Sequence, residues 1–199
     1  NNEKLCKISL SVPGKYNVYN ALAAASVADF MGIDATIIAN SLSSFSGVHR
    51  RFEILGTPNN ITVADDFAHH PTEIKSVLSA AMKMGYRKVY AVFQPHTYSR
   101  TAMLLSEFAD VLSIADHVVL SEILAVREIN TYNISSEDLA AKIKNCTCLV
   151  TFDEIADYIE KNAMPGDLIL TMGGGNVYVC ANMIVDRLSK KYSGGTVHA

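Results

Sequence analysis

Two short stretches concentrate the side chains that can move protons or hold anions. Ala64–Pro71, ADDFAHHP, packs two carboxylates, an aromatic ring and two imidazoles together; Gln94–Arg100, QPHTYSR, sets an imidazole and a guanidinium four residues apart. Asp65 and Asp66 suit general bases, metal ligands or acceptors for ribose hydroxyls; an aspartate in such a turn also caps the following helix. His69 and His70 are neighbours on a loop, which rarely lets both point at one ion, and no third ligand stands at a metal-site spacing. A substrate-facing imidazole fits better than a metal ligand, with one of the pair structural. Arg100 offers a planar fork for a carboxylate or phosphate. A cation at a helix start opposes the helix dipole, and a nearby anion offsets that cost.

Weaker candidates lie elsewhere. His49-Arg50-Arg51 suits phosphate neutralisation, or is a solvated basic turn. Asn17 and Asn20 sit three apart and can face one ligand, and an amide pairs in bidentate fashion with adenine. The simpler reading makes Asn17 an N-cap. Gly173-Gly174-Gly175 is a poor dinucleotide fingerprint, because Tyr178 stands at the third glycine position and no unit follows to supply an acidic ribose ligand. Close packing of strand and helix explains it better.

These residues need a scaffold, and the pattern supplies one. Strands are expected at Ile61–Phe67, Lys88–Phe93, His117–Leu124, Cys148–Phe152 and Asp167–Met172. They alternate with helices at Pro71–Met84, Ser99–Ala115, Ser135–Lys144, Asp153–Asn162 and Asn176–Tyr192. Ser135 and Asp138 have capping-box spacing. Such alternation predicts a Rossmann-like α/β fold, a mainly parallel sheet with helices on both faces. The turns at 65–70, 94–100, 122–127 and 173–176 then share one rim, the edge where open α/β sheets bind ligands. Residues 1–46 differ. A strand at Lys4–Val12, a helix at Asn17–Met31 stopped by Gly32, and a second helix capped by Asp34 look like the end of a neighbouring domain. The main domain then runs over 47–192, and a disordered tail over 193–199.

Composition excludes several classes. Of 199 residues 49% are hydrophobic, enough for a sizeable core, and the net charge of −3 gives no electrostatic case for nucleic acid or an anionic membrane. No apolar run approaches a membrane span. Cys6, Cys146, Cys148 and Cys180 match neither a zinc site nor a CxxC pair, and are expected to be buried reduced thiols of a cytosolic protein.

Five segments in order, GKYNVYNALAA (14–24), GVHRRFE (47–53), DDFAHHPTEI (65–74), FQPHTYSRT (93–101) and VREINTY (126–132), resemble the Mur ligases over residues 5–192. The resemblance implies the end of a central ATPase domain followed by a Rossmann-like C-terminal domain. It implies an ATP-dependent ligase of peptidoglycan precursor synthesis that joins L-alanine to the lactyl carboxylate of UDP-N-acetylmuramate through an acyl phosphate. ATP and Mg2+ are the implied cofactors, with the Mg2+ ligands mostly upstream, so the chain alone is expected to be inactive. It places Asn17 and Asn20 on adenine, Arg50 or Arg51 on the ATP phosphates and Asp65 on the ribose. Phe67, His69 or His70, His96 and Arg100 surround the incoming alanine, with His96 and Arg100 the catalytic pair and Arg100 on the carboxylate. Tyr16, Phe67 and Thr97 depart from common family residues (His, Tyr and Arg). The alternatives are a ligase that recycles a whole tripeptide, and a non-catalytic nucleotide- or partner-binding module.

Overall fold

The computed structural model describes residues 4–193, and contacts divide the chain into two compact units, Asn1–His49 and Arg50–Ala199. No helix of the described residues is long and apolar enough to cross a membrane.

In the first unit, helix α1 spans Lys15–Phe30 and α2 spans Ala35–Ser44. Residues 4–12 form no strand, contrary to their alternating pattern. They carry no ladder partner and are held by Ser9 N–H on Ser43 Oγ and by Ser11 Oγ–H on the Ser43 carbonyl. The N-cap of α1 is Gly14 at φ 96°, a conformation that favours glycine. Asn17 is therefore not the cap; it lies in the first turn, where its Nδ2 donates to Pro13 O at 2.7 Å and its Oδ1 accepts from Asn20 Nδ2 at 3.3 Å. Asp34 caps α2 as expected, accepting from Thr36 N. The apolar stripe of α1 is not buried: Ala21 and Ala25 are, but Val18, Leu22 and Phe30 are exposed.

The second unit is a six-stranded sheet of order β1-β2-β6-β3-β4-β5, with β1 Glu53–Gly56, β2 Thr62–Asp66, β3 Val89–Phe93, β4 His117–Leu120, β5 Cys146–Cys148 and β6 Leu168–Met172. All neighbours run parallel except β1, which is antiparallel to β2. Helices α3 (Pro71–Ala81), α5 (Leu105–Leu112) and α6 (Ser136–Ala140) cover one face; α7 (Phe152–Asn162) and α8 (Val177–Ser193) cover the other. Strand residues alternate between the two cores. Val89, Ala91 and Phe93 join Ile74, Leu78, Phe108 and Leu112, whereas Tyr90 and Val92 join Ile155, Ile159, Ile184 and Leu188. A sheet buried on both faces needs apolar side chains at every position, hence the unbroken runs VYAVF and LILTM.

Several boundaries differ from the sequence reading: the helices expected over 71–84 and 135–144 end at Ala81 and Ala140, and the strand expected over 117–124 ends at Leu120. The helix expected over 99–115 is broken at Leu104 (φ −111°, ψ 19°) into α4, Tyr98–Met103, and α5. The break lets α5 turn Phe108 and Leu112 into the core while Met103 stays exposed. The strand expected at 148–152 lies at 146–148, because Thr151 begins a capping box with Glu154 that starts α7. Of the thiols, Cys180 is buried but Cys6, Cys146 and Cys148 are partly exposed; burial pushes Cys146 and Cys180 up to about 12. The last helix ends at Ser193, and the tail expected beyond it lies outside the described residues.

Candidate active site

Parallel register aligns Asp66, Met172, Phe93 and Leu120, so β2, β6, β3 and β4 end on one rim. The turns after these strands bring the second unit's candidate residues together there. Asp65 is fully buried, and both its oxygens are engaged. Oδ2 accepts from Arg50 Nε at 2.7 Å and Oδ1 from Thr171 Oγ at 2.6 Å. Arg50 spends its remaining donors on the glycine turn, with Nη1 on Gly175 O and Nη2 on Gly173 O, both at 2.9 Å. Its guanidinium also lies 4.9 Å from the centre of Phe67 and 5.0 Å from that of Tyr178. This pair locks β2 to the glycine turn, a job that leaves neither residue open to a nucleotide in this conformation. Arg51 is exposed, 5.8 Å over Phe67, and is the arginine with a fork to offer a phosphate. Asp66 accepts from Phe52 N and Ala68 N, and burial raises its pKa.

The two histidines separate cleanly. His70, not an aspartate, is the N-cap of α3: its Nδ1 accepts from Thr72 N while Glu73 accepts from the backbone N–H of His69 and His70. His70 is exposed and bound to the helix end. His69 turns into the rim. Its Nδ1 lies 2.9 Å from Phe67 O, which places the proton on Nδ1 and leaves Nε2 as an acceptor. Its ring is edge-on to Phe67 and 5.8 Å from that of His96.

His96 and Arg100 carry unpaired polar atoms. His96 Nδ1 and Arg100 Nη1 are both buried without a hydrogen-bond partner. Burial, then the charge of Arg100, then His69 push the His96 pKa below its ordinary value, so its imidazole is neutral at pH 7. A buried guanidinium N–H with no acceptor costs on the order of 1–3 kcal/mol, which an anionic ligand would remove. The turn itself is strained: Thr97 is β-branched yet sits at φ 66°. It is tied down by Thr97 N–H on Leu124 O at 2.9 Å and Thr101 Oγ–H on Thr97 O at 2.7 Å.

The glycine turn closes the floor. A Cβ at Gly175 would lie 2.2 Å from Leu124 Cδ2 and 2.6 Å from Gln94 Oε1, and one at Gly174 would lie 3.1 Å from the His69 ring. Gln94, buried, donates Nε2–H to Asn176 Oδ1 at 3.0 Å. The glycines thus admit neighbouring turns rather than cradle a phosphate. Sequence reasoning passed over Gln94, Asn176 and Glu128; the last stands in the 126–132 motif and reaches Ser99. Among the described residues no group of three His, Cys, Asp or Glu side chains is placed to hold a metal ion. Asn17 and Asn20 belong to the first unit.

The family description "Mur ligase, glutamate ligase domain" matches residues 50–175. This chain belongs to the Mur ligase family. A UDP-N-acetylmuramate–L-alanine ligase of Lachnospira eligens is 50% identical over 182 residues, covering 89% of this chain and 40% of that protein. Among solved structures, UDP-N-acetylmuramate–alanine ligase from Thermotoga maritima superposes with a TM-score of 0.77 at 30% identity, over 92% of this chain and 40% of that one. A Haemophilus ducreyi domain, described as from a UDP-N-acetylmuramate:L-alanyl-γ-D-glutamyl-meso-diaminopimelate ligase, matches with a TM-score of 0.53 at 29% identity, over 69% of this chain and 99% of that domain. This Mur ligase chain therefore spans about 40% of the length of the full-length relatives it matches.

Proposed function

We propose that the chain is the C-terminal part of an ATP-dependent ligase joining L-alanine to the lactyl carboxylate of UDP-N-acetylmuramate. In this reading residues 1–46 end the central ATP-binding domain, and 47–192 form the C-terminal domain that receives the amino acid. The carboxylate is activated as an acyl phosphate at the expense of ATP; the alanine amine then attacks the acyl carbon and phosphate leaves. Arg100 binds the alanine carboxylate through its unpaired fork. Neutral His96 accepts a hydrogen bond from the ammonium or takes its proton, since the amine attacks only with a free lone pair. His69 and Phe67 wall the same pocket. Arg51 reaches the nucleotide phosphates, and Asn17 and Asn20 meet adenine. Magnesium ligands are assigned to the part of the enzyme this chain does not cover, and no step is routed through the ion. Nucleotide substrates place the protein in the cytoplasm.

The observation that carries the reading is the buried, unpaired Nη1 of Arg100 beside unprotonated His96. It asks for a small ligand with both a carboxylate and an amine. In the full-length enzyme, Arg100→Ala is expected to raise the KM for L-alanine roughly 10- to 100-fold, the value of a charged hydrogen bond at about 1.5–3 kcal/mol. The KM for ATP should stay near wild type. Equal effects on both constants reject the role. Turnover with the tripeptide L-alanyl-γ-D-glutamyl-meso-diaminopimelate and none with L-alanine would reject the donor and install the recycling ligase.

A further inference from the structure

Between β4 and α6 the chain runs through an exposed segment, and one of its side chains reaches back to the start of α4. Glu128 accepts from Ser99 N at 2.8 Å through Oε2 and from Ser99 Oγ at 2.5 Å through Oε1. Both carboxylate oxygens hold Ser99, the residue that precedes Arg100, and the Tyr98 N–H and Thr97 hydroxyl add to the same carboxylate. These bonds hold the Glu128 pKa below the usual carboxylate range, so the clamp is ionised at neutral pH. The same segment makes two further backbone hydrogen bonds to the turn, which together form a parallel bridge. Thr97 N–H donates to Leu124 O and Leu124 N–H donates to Pro95 O at 2.9 Å, which pairs His96 with Leu124.

The clamped turn does not hold its shape by local preference. Thr97 sits at φ 66°, unfavourable for a β-branched residue, and such conformations persist only where the surroundings over-determine them. Val126, two residues before Glu128, is also β-branched and sits at φ 58°. Each unfavourable backbone thus lies two residues before one partner of the charge-assisted clamp, where geometry must be held by what surrounds it. What the clamped turn presents is His96 Nδ1 and Arg100 Nη1.

We propose that Glu128 is a positioning residue, clamping Ser99 so that the strained Thr97 turn aims His96 and Arg100 at the incoming amino acid. This rests on the reading of that pocket as the amino-donor site, not on which donor it takes. Glu128 touches no reacting atom; it acts through Ser99 on the direction of two side chains that do.

The test uses the full-length protein and whichever amino donor, L-alanine or tripeptide, the wild type turns over, so a wrong donor would overturn the earlier reading and leave this one standing. Glu128→Ala is expected to raise the donor KM roughly 10- to 100-fold, the scale of a misplacement near 1 Å, with the ATP KM changed less than about two-fold. Glu128→Gln keeps an acceptor for the Ser99 N–H and the same length, and is expected to restore the donor KM to within about three-fold of wild type. A second readout needs no turnover. Glu128 raises the His96 pKa against burial, Arg100 and His69. Removing its charge in Glu128→Gln should therefore shift the His96 titration, followed by NMR of labelled histidine, further toward acid. Glu128→Ala raising donor and ATP KM alike, or neither, overturns the proposal, and so does a His96 titration unmoved in Glu128→Gln. Should the Ala variant not fold, the His96 titration in Glu128→Gln still decides the matter.

Discussion

The Arg50–Asp65 pair shows how a residue that looks catalytic in sequence can be spent on architecture. Asp65 is fully buried, and the Arg50 side chain is 13% exposed. Every nitrogen of the guanidinium has an oxygen partner, two of them carbonyls more than 120 positions away in the chain. A buried ion pair adds little net stability against an apolar substitute, but removing one partner strands the other's charge at a cost of about 3–5 kcal/mol. Asp65→Ala should therefore destabilise the domain by about that much in urea unfolding. A loss below about 1 kcal/mol would mean that Arg50 finds its compensation in the Gly173 and Gly175 carbonyls alone.

Among the elements, turns explain both what could be read and what could not. Strands covered on both faces leave mostly apolar runs, so β3 and β6 are legible within about a residue, as are β2, whose run over 61–64 ends in buried Asp65 and Asp66, and the Ser135–Asp138 capping box. Residues 4–12 alternate like a strand, but a ladder needs a neighbour that no local pattern can supply. The break at Leu104 was hidden because Met103, Leu104, Phe108 and Leu112 keep helical spacing across two axes. His70 as a cap was missed because histidine lies outside the usual capping set. The rim location of the chemistry was legible from strand–helix alternation; the split between His69 and His70, and the clamp from Glu128, needed long-range contacts. The glycine turn gives a sharp test. A Cβ at Gly175 would lie 2.2 Å from Leu124, on the segment that carries Glu128, and 2.6 Å from buried Gln94. Gly175→Ala should displace both, cost about 1–3 kcal/mol as overpacking does and lower kcat/KM for the donor, whereas Gly85→Ala, which meets open space and carries only the backbone strain of φ 79°, should lose stability without changing kcat/KM. Equal donor kinetics in the two variants would show that the turn tolerates the displacement.

The division at His49 bears on what can fold independently. The unit that begins at Arg50 has both sheet faces covered by its own helices, and each face has its own core: Phe93, Phe108 and Leu112 on one, Ile155, Ile159 and Leu188 on the other. Its helix caps are internal as well, since His70, Ser135 and Thr151 each start a helix with a partner from the same turn. A domain of about 150 residues buries roughly 70% of its unfolded surface, enough for cooperative folding. The first unit lacks that closure: α1 buries two alanines while Val27, Phe30, Met31 and Ile37 are exposed. A chain of residues 50–193 is therefore expected to unfold in one cooperative thermal transition with native near-UV circular dichroism, and residues 4–49 alone to show none. The Haemophilus ducreyi domain, matched over 99% of its own length, points the same way. A broad, non-cooperative melt of 50–193, with binding of a hydrophobic dye, would show that its two cores need residues from before Arg50 to close.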